Sequence, residues 1–195
     1  MASSPRILAL AGSNREQSLN RWLLNLGVQL ARSHGATVDV LDLRDYPLPI
    51  MDEDLEAREG IPDNAMKLKK LFIDHDALLI ACPEYNSSIT PLLKNTIDWV
   101  SRPVKGEPPL AGFQGKPVTL LAASGGELGG LRGLVHVRAI LGNIGAIVLP
   151  DQVAVPKAHE AFESDGSLKN AAVKTKLETA IRKLVTVTSK LAASA

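Results

Sequence analysis

Short apolar runs alternate with segments of helical periodicity along almost the whole chain. Residues 7–11 are a continuous apolar run, which is the form of a strand buried on both faces. Residues 76–82 contain a second buried strand of this kind, and residues 37–43, 117–123 and 146–149 predict three more strands. Apolar positions at helical spacing predict helices between and after these strands. The predicted helices run from residue 19 to just before Gly35 and over residues 65–72, 90–100, 130–145 and 168–191.

Strands that are joined by helices predict a parallel sheet with right-handed crossovers and helices on both faces, a three-layer α/β/α sandwich. Five parallel strands suit the order 2-1-3-4-5, and such sheets bind ligands beyond the carboxyl ends of the strands, where the order reverses. The loops after residues 11, 82 and 123 are therefore the candidate binding loops. Residues 44–63 are rich in proline and charge and predict a long loop. We expect one domain over residues 1–195.

Composition narrows the function classes. The 195 residues carry 22 Lys and Arg against 21 Asp and Glu, so no field of one sign favours nucleic acid or an anionic membrane. A single cysteine excludes an internal disulfide and a zinc site built on several cysteines. No apolar run approaches the roughly 18 residues of a membrane span, and the N-terminal run is too short for a signal peptide. We expect a soluble cytoplasmic protein with no nucleic-acid partner and no membrane insertion.

The first candidate loop has the chemistry of an anion site. Residues 12–20 join a buried strand to the start of a helix, where unpaired N–H groups and the helix dipole favour negative charge. Ser13 and Ser18 can donate hydroxyl hydrogen bonds, Arg15 supplies a charge, and Asn20 can brace the loop. The pattern suits one phosphate monoester and lacks the glycine–lysine signature of nucleoside triphosphatases. The structural alternative is that Ser18 only caps the helix.

The second and third loops suit a flat polar ring. In the second loop Tyr85 can lie beside a ring and Asn86 offers a donor and an acceptor, although Tyr85 packing locally is the structural alternative. The third loop, residues 124–133, holds five glycines, which permit backbone N–H groups to approach a ligand closely. Its alternative is a flexible loop without function.

Other reactive residue types form no recognisable site. The histidines show no metal-ligand spacing, so no metal is expected, and Cys82 ends an apolar strand as a small buried residue. No nucleophile elbow surrounds Ser13 or Ser124, which disfavours hydrolase chemistry.

The three loops together resemble the NADPH-dependent FMN reductase family, a flavodoxin-like group of flavin, chromate, quinone and azo-dye reductases. The resemblance covers residues 5–155 in order and spacing. The segments that carry it are Gly12-Ser13-Asn14-Arg15 with Ser18 and Asn20, Pro83-Glu84-Tyr85-Asn86, Pro91-Leu92-Leu93-Lys94-Asn95, Asp98-Trp99, Ser124-Gly125-Gly126 and Gly130-Leu131-Arg132.

The resemblance implies a flavodoxin-like fold with tightly bound, non-covalent FMN. It places three groups of residues along the cofactor: Ser13, Arg15, Ser18 and Asn20 at the phosphate, Pro83, Glu84, Tyr85 and Asn86 along the ring, and Ser124, Gly125, Gly126 and Glu127 at the far ring edge. Many relatives carry serine or glycine in place of Glu127, so the resemblance leaves the role of that residue open.

The resemblance also implies the reaction. Hydride passes from NADPH or NADH to FMN, and the electrons then reduce a quinone, free flavin, chromate or an azo compound in ping-pong order, with no catalytic residue from the protein. Arg102 and Arg132 are candidates for the NADPH phosphate. A homodimer or homotetramer is expected, with the apolar helix that contains Trp99 as a candidate interface. The alternatives are a flavodoxin-type electron carrier and a non-catalytic flavin-binding protein.

Overall fold

The computed structural model describes residues 4–193 and places helices and strands in regular alternation. The strands are β1 (Arg6–Ala11), β2 (Thr37–Leu41), β3 (Ala77–Ala81), β4 (Glu84–Tyr85), β5 (Ser88–Ile89), β6 (Pro117–Ala123), β7 (Ile147–Val148) and β8 (Val153–Val155). The helices are α1 (Leu19–Ser33), α2 (Glu53–Glu59), α3 (Asp63–Asp74), α4 (Pro91–Val100), α5 (Leu131–Asn143) and α6 (Ala171–Ala192), with a short 3₁₀ turn at Leu43–Asp45.

One parallel sheet confirms the predicted flavodoxin-like class and the order 2-1-3-4-5. The neighbours are β2-β1-β3-β6, and β6 then pairs with β7 near its start and with β8 near its end. The fifth position is thus shared by two short strands, where one continuous strand was predicted. The edge at which β1, β3 and β6 end is called the carboxyl edge below, and the opposite edge the amino edge.

Two apolar cores flank the sheet because successive strand residues face opposite sides. In β1, Ile7, Ala9 and Ala11 pack towards α1 and α6. Leu8 and Leu10 pack towards α3, α4 and α5 on the other face. This arrangement is the predicted three-layer sandwich, and it leaves the carboxyl edge uncovered by helices.

The prediction of a long loop at residues 44–63 was wrong. Asp52 accepts hydrogen bonds from the N–H groups of Asp54 and Leu55 and so caps α2. The helix buries none of its residues. It therefore lacks the apolar periodicity by which helices were recognised.

The prediction that Trp99 on α4 forms an interface between copies was also wrong. Trp99 is 0% exposed within the single chain, and its Nε1 donates to Pro49 O over 2.8 Å. Asn95 donates to the same carbonyl. The segment around Pro49 thus covers the side of α4 that the sheet leaves open, and Trp99 offers no surface to a second copy.

Among residues 4–193, none of the helices combines the length and the apolar character that a membrane span requires.

Candidate functional site

The three predicted loops meet at the carboxyl edge. β3 pairs with β1 on one side and with β6 on the other, so the loops after these strands are neighbours. They enclose a cavity of about 150 Å³. Its lining is Ser13, Arg15, Ser18, Leu19, Asn20, Pro83, Glu84, Tyr85, Ala123, Ser124 and Gly125. Five of the fourteen candidate residues lie outside this lining, namely Asn86, Gly126, Glu127, Arg102 and Arg132.

 The cavity itself gathers the other nine predicted residues.

The first loop forms a polar pocket at the start of α1. The side chains of Ser13 and Ser18 are buried, at 7% and 3% exposure, although both border the cavity. Ser18 Oγ accepts a hydrogen bond from Arg21 N–H over 3.4 Å, so Ser18 does cap α1, as the structural alternative expects. Within residues 4–193, no hydrogen bond or ion pair engages the guanidinium of Arg15. A helix start, two hydroxyls and an uncommitted cation together suit a phosphate.

Asn20 lines the cavity, but its side-chain amide is hydrogen-bonded to the backbone of β6. Its Nδ2 donates to Ala123 O over 2.7 Å, and its Oδ1 accepts from Ala123 N–H over 2.9 Å. These bonds link the start of α1 to the end of β6. The bracing role expected from the residues is thus present, across the sheet edge rather than within the first loop.

The second loop contains a short hairpin, which was not predicted. β4 and β5 pair around Asn86 and Ser87, whose φ values of 49° and 67° are those of a two-residue turn. Tyr85 is 50% exposed and borders the cavity, so it is free to face a ring rather than packed locally. Asn86, at the turn, lies outside the cavity lining.

Glu84 borders the cavity while its carboxylate holds α5. Oε2 accepts from Gly133 N–H over 2.9 Å and Oε1 accepts from Arg132 Nη2 over 3.0 Å. Burial raises the pKa of the Glu84 carboxyl, but these hydrogen bonds outweigh it, and the pKa lies below its ordinary value. Gly130, at the start of α5, has no side chain to cap that helix, and Glu84 supplies the missing acceptor.

The third loop uses its glycines in two ways. A Cβ at Gly129 would lie 2.6 Å from the backbone of Val155, and one at Gly130 would lie 2.7 Å from the Cβ of Ala122, so packing alone requires these glycines. A Cβ at Gly125 would make only an ordinary contact, 3.6 Å from His159 Nδ1, and this residue borders the cavity. Packing therefore does not account for the glycine at position 125.

The charged residues that were predicted at the ring edge and at the NADPH phosphate lie at different distances from the cavity. Glu127 is 79% exposed and pairs with Lys157 over 3.1 Å, so its carboxylate points away from the cavity. Arg132 is 57% exposed beside Glu84 at the cavity rim. Arg102 lies beyond the far end of α4 and pairs with Glu56 over 2.7 Å. This position does not support the prediction that Arg102 contacts the NADPH phosphate.

Cys82 and the histidines are the other reactive residues that the sequence offered. Burial raises the pKa of the Cys82 thiol far above its ordinary value, which makes a redox role for this residue unfavourable. Across residues 4–193, no group of three or more His, Cys, Asp or Glu side chains could hold a metal ion. His159 beside Gly125 was not predicted, because no motif or spacing marks it in the sequence.

The residues present fit FMN. The cavity of about 150 Å³ is smaller than the roughly 300–1,000 Å³ of most ligand clefts, so it suits the phosphate end with the ring along the open rim. Tyr85 and Gly125 form that rim. A larger cavity of about 450 Å³ lies between α1 and α6, but its lining, which includes Leu26, Leu30 and Leu177, contains none of the three loops.

Known proteins are similar to this chain in sequence and fold. The model of the NADPH-dependent FMN reductase family matches residues 5–160. An NAD(P)H-dependent FMN reductase of Pseudomonas aeruginosa is 34% identical over 169 residues, which are 86% of each chain. A quinone reductase of Escherichia coli is 34% identical over 149 residues, 76% of each chain.

A solved structure gives the same result. The flavoenzyme NAD(P)H:(acceptor) oxidoreductase FerB of Paracoccus denitrificans superposes with a TM-score of 0.80 at 28% identity, covering 95% of this chain and 98% of its own. These comparisons confirm the predicted oxidoreductase class and its dependence on FMN and NAD(P)H. The chain belongs to the NADPH-dependent FMN reductase family.

Proposed function

We propose that the cavity at the carboxyl edge holds FMN, with its phosphate at Ser13, Arg15 and Ser18. The ring then lies along Tyr85 and Gly125 at the rim. The observation that carries this placement is the convergence of three loops on one cavity, with the uncommitted Arg15 at its phosphate end.

The protein binds and orients the reactants, and the cofactor carries the electrons. Bound FMN supplies a group that accepts hydride from NAD(P)H and gives electrons to a second substrate. Tyr85, half exposed, supports one side of the ring and leaves the other side open to both substrates in turn. Arg132 at the rim is the candidate for the NADPH phosphate. No side chain of the protein needs to act as an acid or base for the hydride step.

Quinones are the acceptor class that the relatives favour. One relative is named for quinone reduction and another for FMN reduction, and both cover most of this chain. Chromate and azo compounds stay predictions. The cytoplasmic location also stays a prediction.

A visible spectrum tests the cofactor, the class and the donor together. The purified protein offered FMN should retain a yellow chromophore, and anaerobic NADPH or NADH should bleach it. Added quinone should restore the colour, and the mixture should then turn over steadily. Bleaching without turnover would favour the electron-carrier alternative. A protein that takes up no FMN would contradict the proposed site.

Tyr85→Ala tests the ring-facing side of the site. Because Tyr85 is half exposed, its loss should change turnover while leaving the free energy of unfolding within about 0.5 kcal/mol of wild type. Turnover that is unchanged with every acceptor would remove Tyr85 from the proposed role.

A homodimer or homotetramer is supported by exposed apolar side chains beside the site. Leu128, Leu131 and Val135 are 50%, 40% and 57% exposed, and Leu131 and Val135 lie one turn apart on α5. Large apolar side chains at this exposure favour contact with another surface. Val135→Arg should lower the mass measured by light scattering, and an unchanged mass would place the interface elsewhere.

A further inference from the structure

The side chain of Asn20 joins the phosphate end of the cavity to the third loop. Asn20 is 5% exposed and lies in the first turn of α1. Its amide exchanges two hydrogen bonds, of 2.7 and 2.9 Å, with the backbone of Ala123. Ala123 is the last residue of β6 and directly precedes Ser124 and Gly125, which border the cavity.

We propose that Asn20 is a positioning residue that fixes Ser124 and Gly125 on the side of the cavity where the ring of FMN would lie. The phosphate itself is left to Ser13, Arg15 and Ser18. This assignment differs from the role in phosphate binding that the family resemblance implies for Asn20, and it rests on the proposed placement of FMN. Two bonds to one backbone residue fix both the distance and the direction of the third loop, which one bond would not do.

Asn20→Asp separates the two roles through its protonation state. An ionised carboxylate keeps an acceptor for Ala123 N–H but has no hydrogen for Ala123 O, which it would face at short range. A protonated carboxyl group has one donor and one acceptor, as the amide does. Burial and the facing carbonyl both favour the protonated form. The flavin affinity of the variant should therefore be low at alkaline pH and should recover at acidic pH.

Riboflavin is the suitable probe because it lacks the phosphate, which itself titrates near pH 6. At about pH 8, Asn20→Asp should bind riboflavin about tenfold more weakly than wild type, since a buried carbonyl has lost its donor. At about pH 5.5 the affinity should return to within about threefold of wild type. Asn25→Asp, an exposed site on the same helix, adds the same charge and should follow wild type at both pH values.

Asn20→Ser gives a second test that needs no titration. The shorter hydroxyl cannot replace both bonds to Ala123, so FMN and riboflavin should lose affinity by the same factor. Loss of affinity for FMN alone would show that Asn20 binds the phosphate and would overturn the proposal. A riboflavin affinity of Asn20→Asp equal to wild type at both pH values would also overturn it.

Two controls keep the outcomes apart. The melting temperature of each flavin-free variant shows whether the fold is lost. Loss of fold alone would lower the affinities for FMN and riboflavin together, and this decrease would not depend on the protonation of residue 20. A wild-type protein that binds neither flavin would contradict the proposed function and not this assignment.

Discussion

The two edges of the sheet treat buried polar side chains in opposite ways. At the amino edge, His75 is 1% exposed, and its ring nitrogens lie 2.7 Å from Leu71 O and 2.9 Å from Asp39 Oδ2. At the carboxyl edge, Ser13 and Ser18 are almost as buried but border a cavity. Polar groups that the protein satisfies on all sides stabilise the fold, whereas groups that face a cavity remain available to a ligand.

The cations at the two edges show the same contrast. Lys116, at the amino edge, donates to the carbonyls of Ile73 and His75 at the end of α3. Burial lowers the pKa of Lys116, and its charge is enclosed by the fold. Arg15, at the carboxyl edge, has a guanidinium that no side chain of residues 4–193 engages. We therefore expect substitutions at the amino edge to change stability, and substitutions at the carboxyl edge to change cofactor affinity.

The largest effect should come from His75→Ala. The substitution removes two hydrogen bonds and leaves a cavity in a buried site, so it should lower the free energy of unfolding by about 2–4 kcal/mol. Urea denaturation measures this loss. His159→Ala, at an exposed site on the carboxyl edge, should change it by less than about 0.5 kcal/mol. Equal effects of the two substitutions would remove the contrast between the edges.

Arg15→Ala should show the opposite pattern. The loss of a charged hydrogen bond to phosphate should weaken FMN binding by about ten- to a hundredfold. Stability should stay within about 0.5 kcal/mol, because the guanidinium has no partner in the protein. Fluorescence titration of FMN measures the affinity. Arg58→Ala, on the exposed helix α2, is the matched control, and an affinity as low in that variant would indicate a general charge effect.

The sequence predicts the carboxyl edge well because buried parallel strands have a simple signal. Continuous apolar runs such as residues 77–81 mark the strands, and the polar loops that follow them must meet at one edge. Elements with few buried side chains have no such apolar pattern and are not predicted by it. α2 and the β4–β5 hairpin were missed because they are stabilised by Asp52 as a cap and by the turn at Asn86 and Ser87.

Side-chain partners were the least predictable part of the site. Glu84 and Asn20 belong to the motifs of the cofactor loops, yet their hydrogen bonds reach Gly133 and Ala123, 49 and 103 residues away. Trp99 was assigned to an interface because its helix is strongly apolar, and its partner Pro49, 50 residues away, could not be predicted from that helix. Periodicity shows that a side chain is buried, but tertiary contacts decide what buries it.

Asp42 is an exception at the carboxyl edge and gives a pH test. It follows β2 and accepts from Arg44 and Arg21, each over 2.6 Å. The hydrogen bond from Arg44 is the main cause that lowers the pKa of Asp42 to about 2, from an ordinary 3.8. Because the folded pKa is the lower one, this carboxylate stabilises the protein above about pH 4, and the contribution is lost as pH falls towards 2.

Asp42→Asn should therefore cost about 1–2 kcal/mol at neutral pH, and the difference from wild type should shrink as pH falls from about 4 to about 2. Urea denaturation at several pH values measures it. FMN affinity should change little, because Asp42 lies outside the cavity lining. A difference in stability that does not depend on pH would show that Asp42 acts through packing rather than charge.

The smallest effects should distinguish the two arginines that the sequence offered for NADPH. α4 has 10 residues, so Arg102 beyond its end lies about 15 Å along the helix from the carboxyl edge. Its guanidinium is also held by Glu56. Arg102→Ala should leave the KM for NADPH within about twofold of wild type, as for a remote surface charge.

Arg132 lies at the rim with 57% of its side chain exposed. Arg132→Ala should raise the KM for NADPH by about three- to tenfold and the KM for NADH by less, because only NADPH carries the extra phosphate. Equal increases for both nucleotides would assign Arg132 to holding Glu84 and the hairpin, which would make it a fold residue at the edge where ligand contacts are expected.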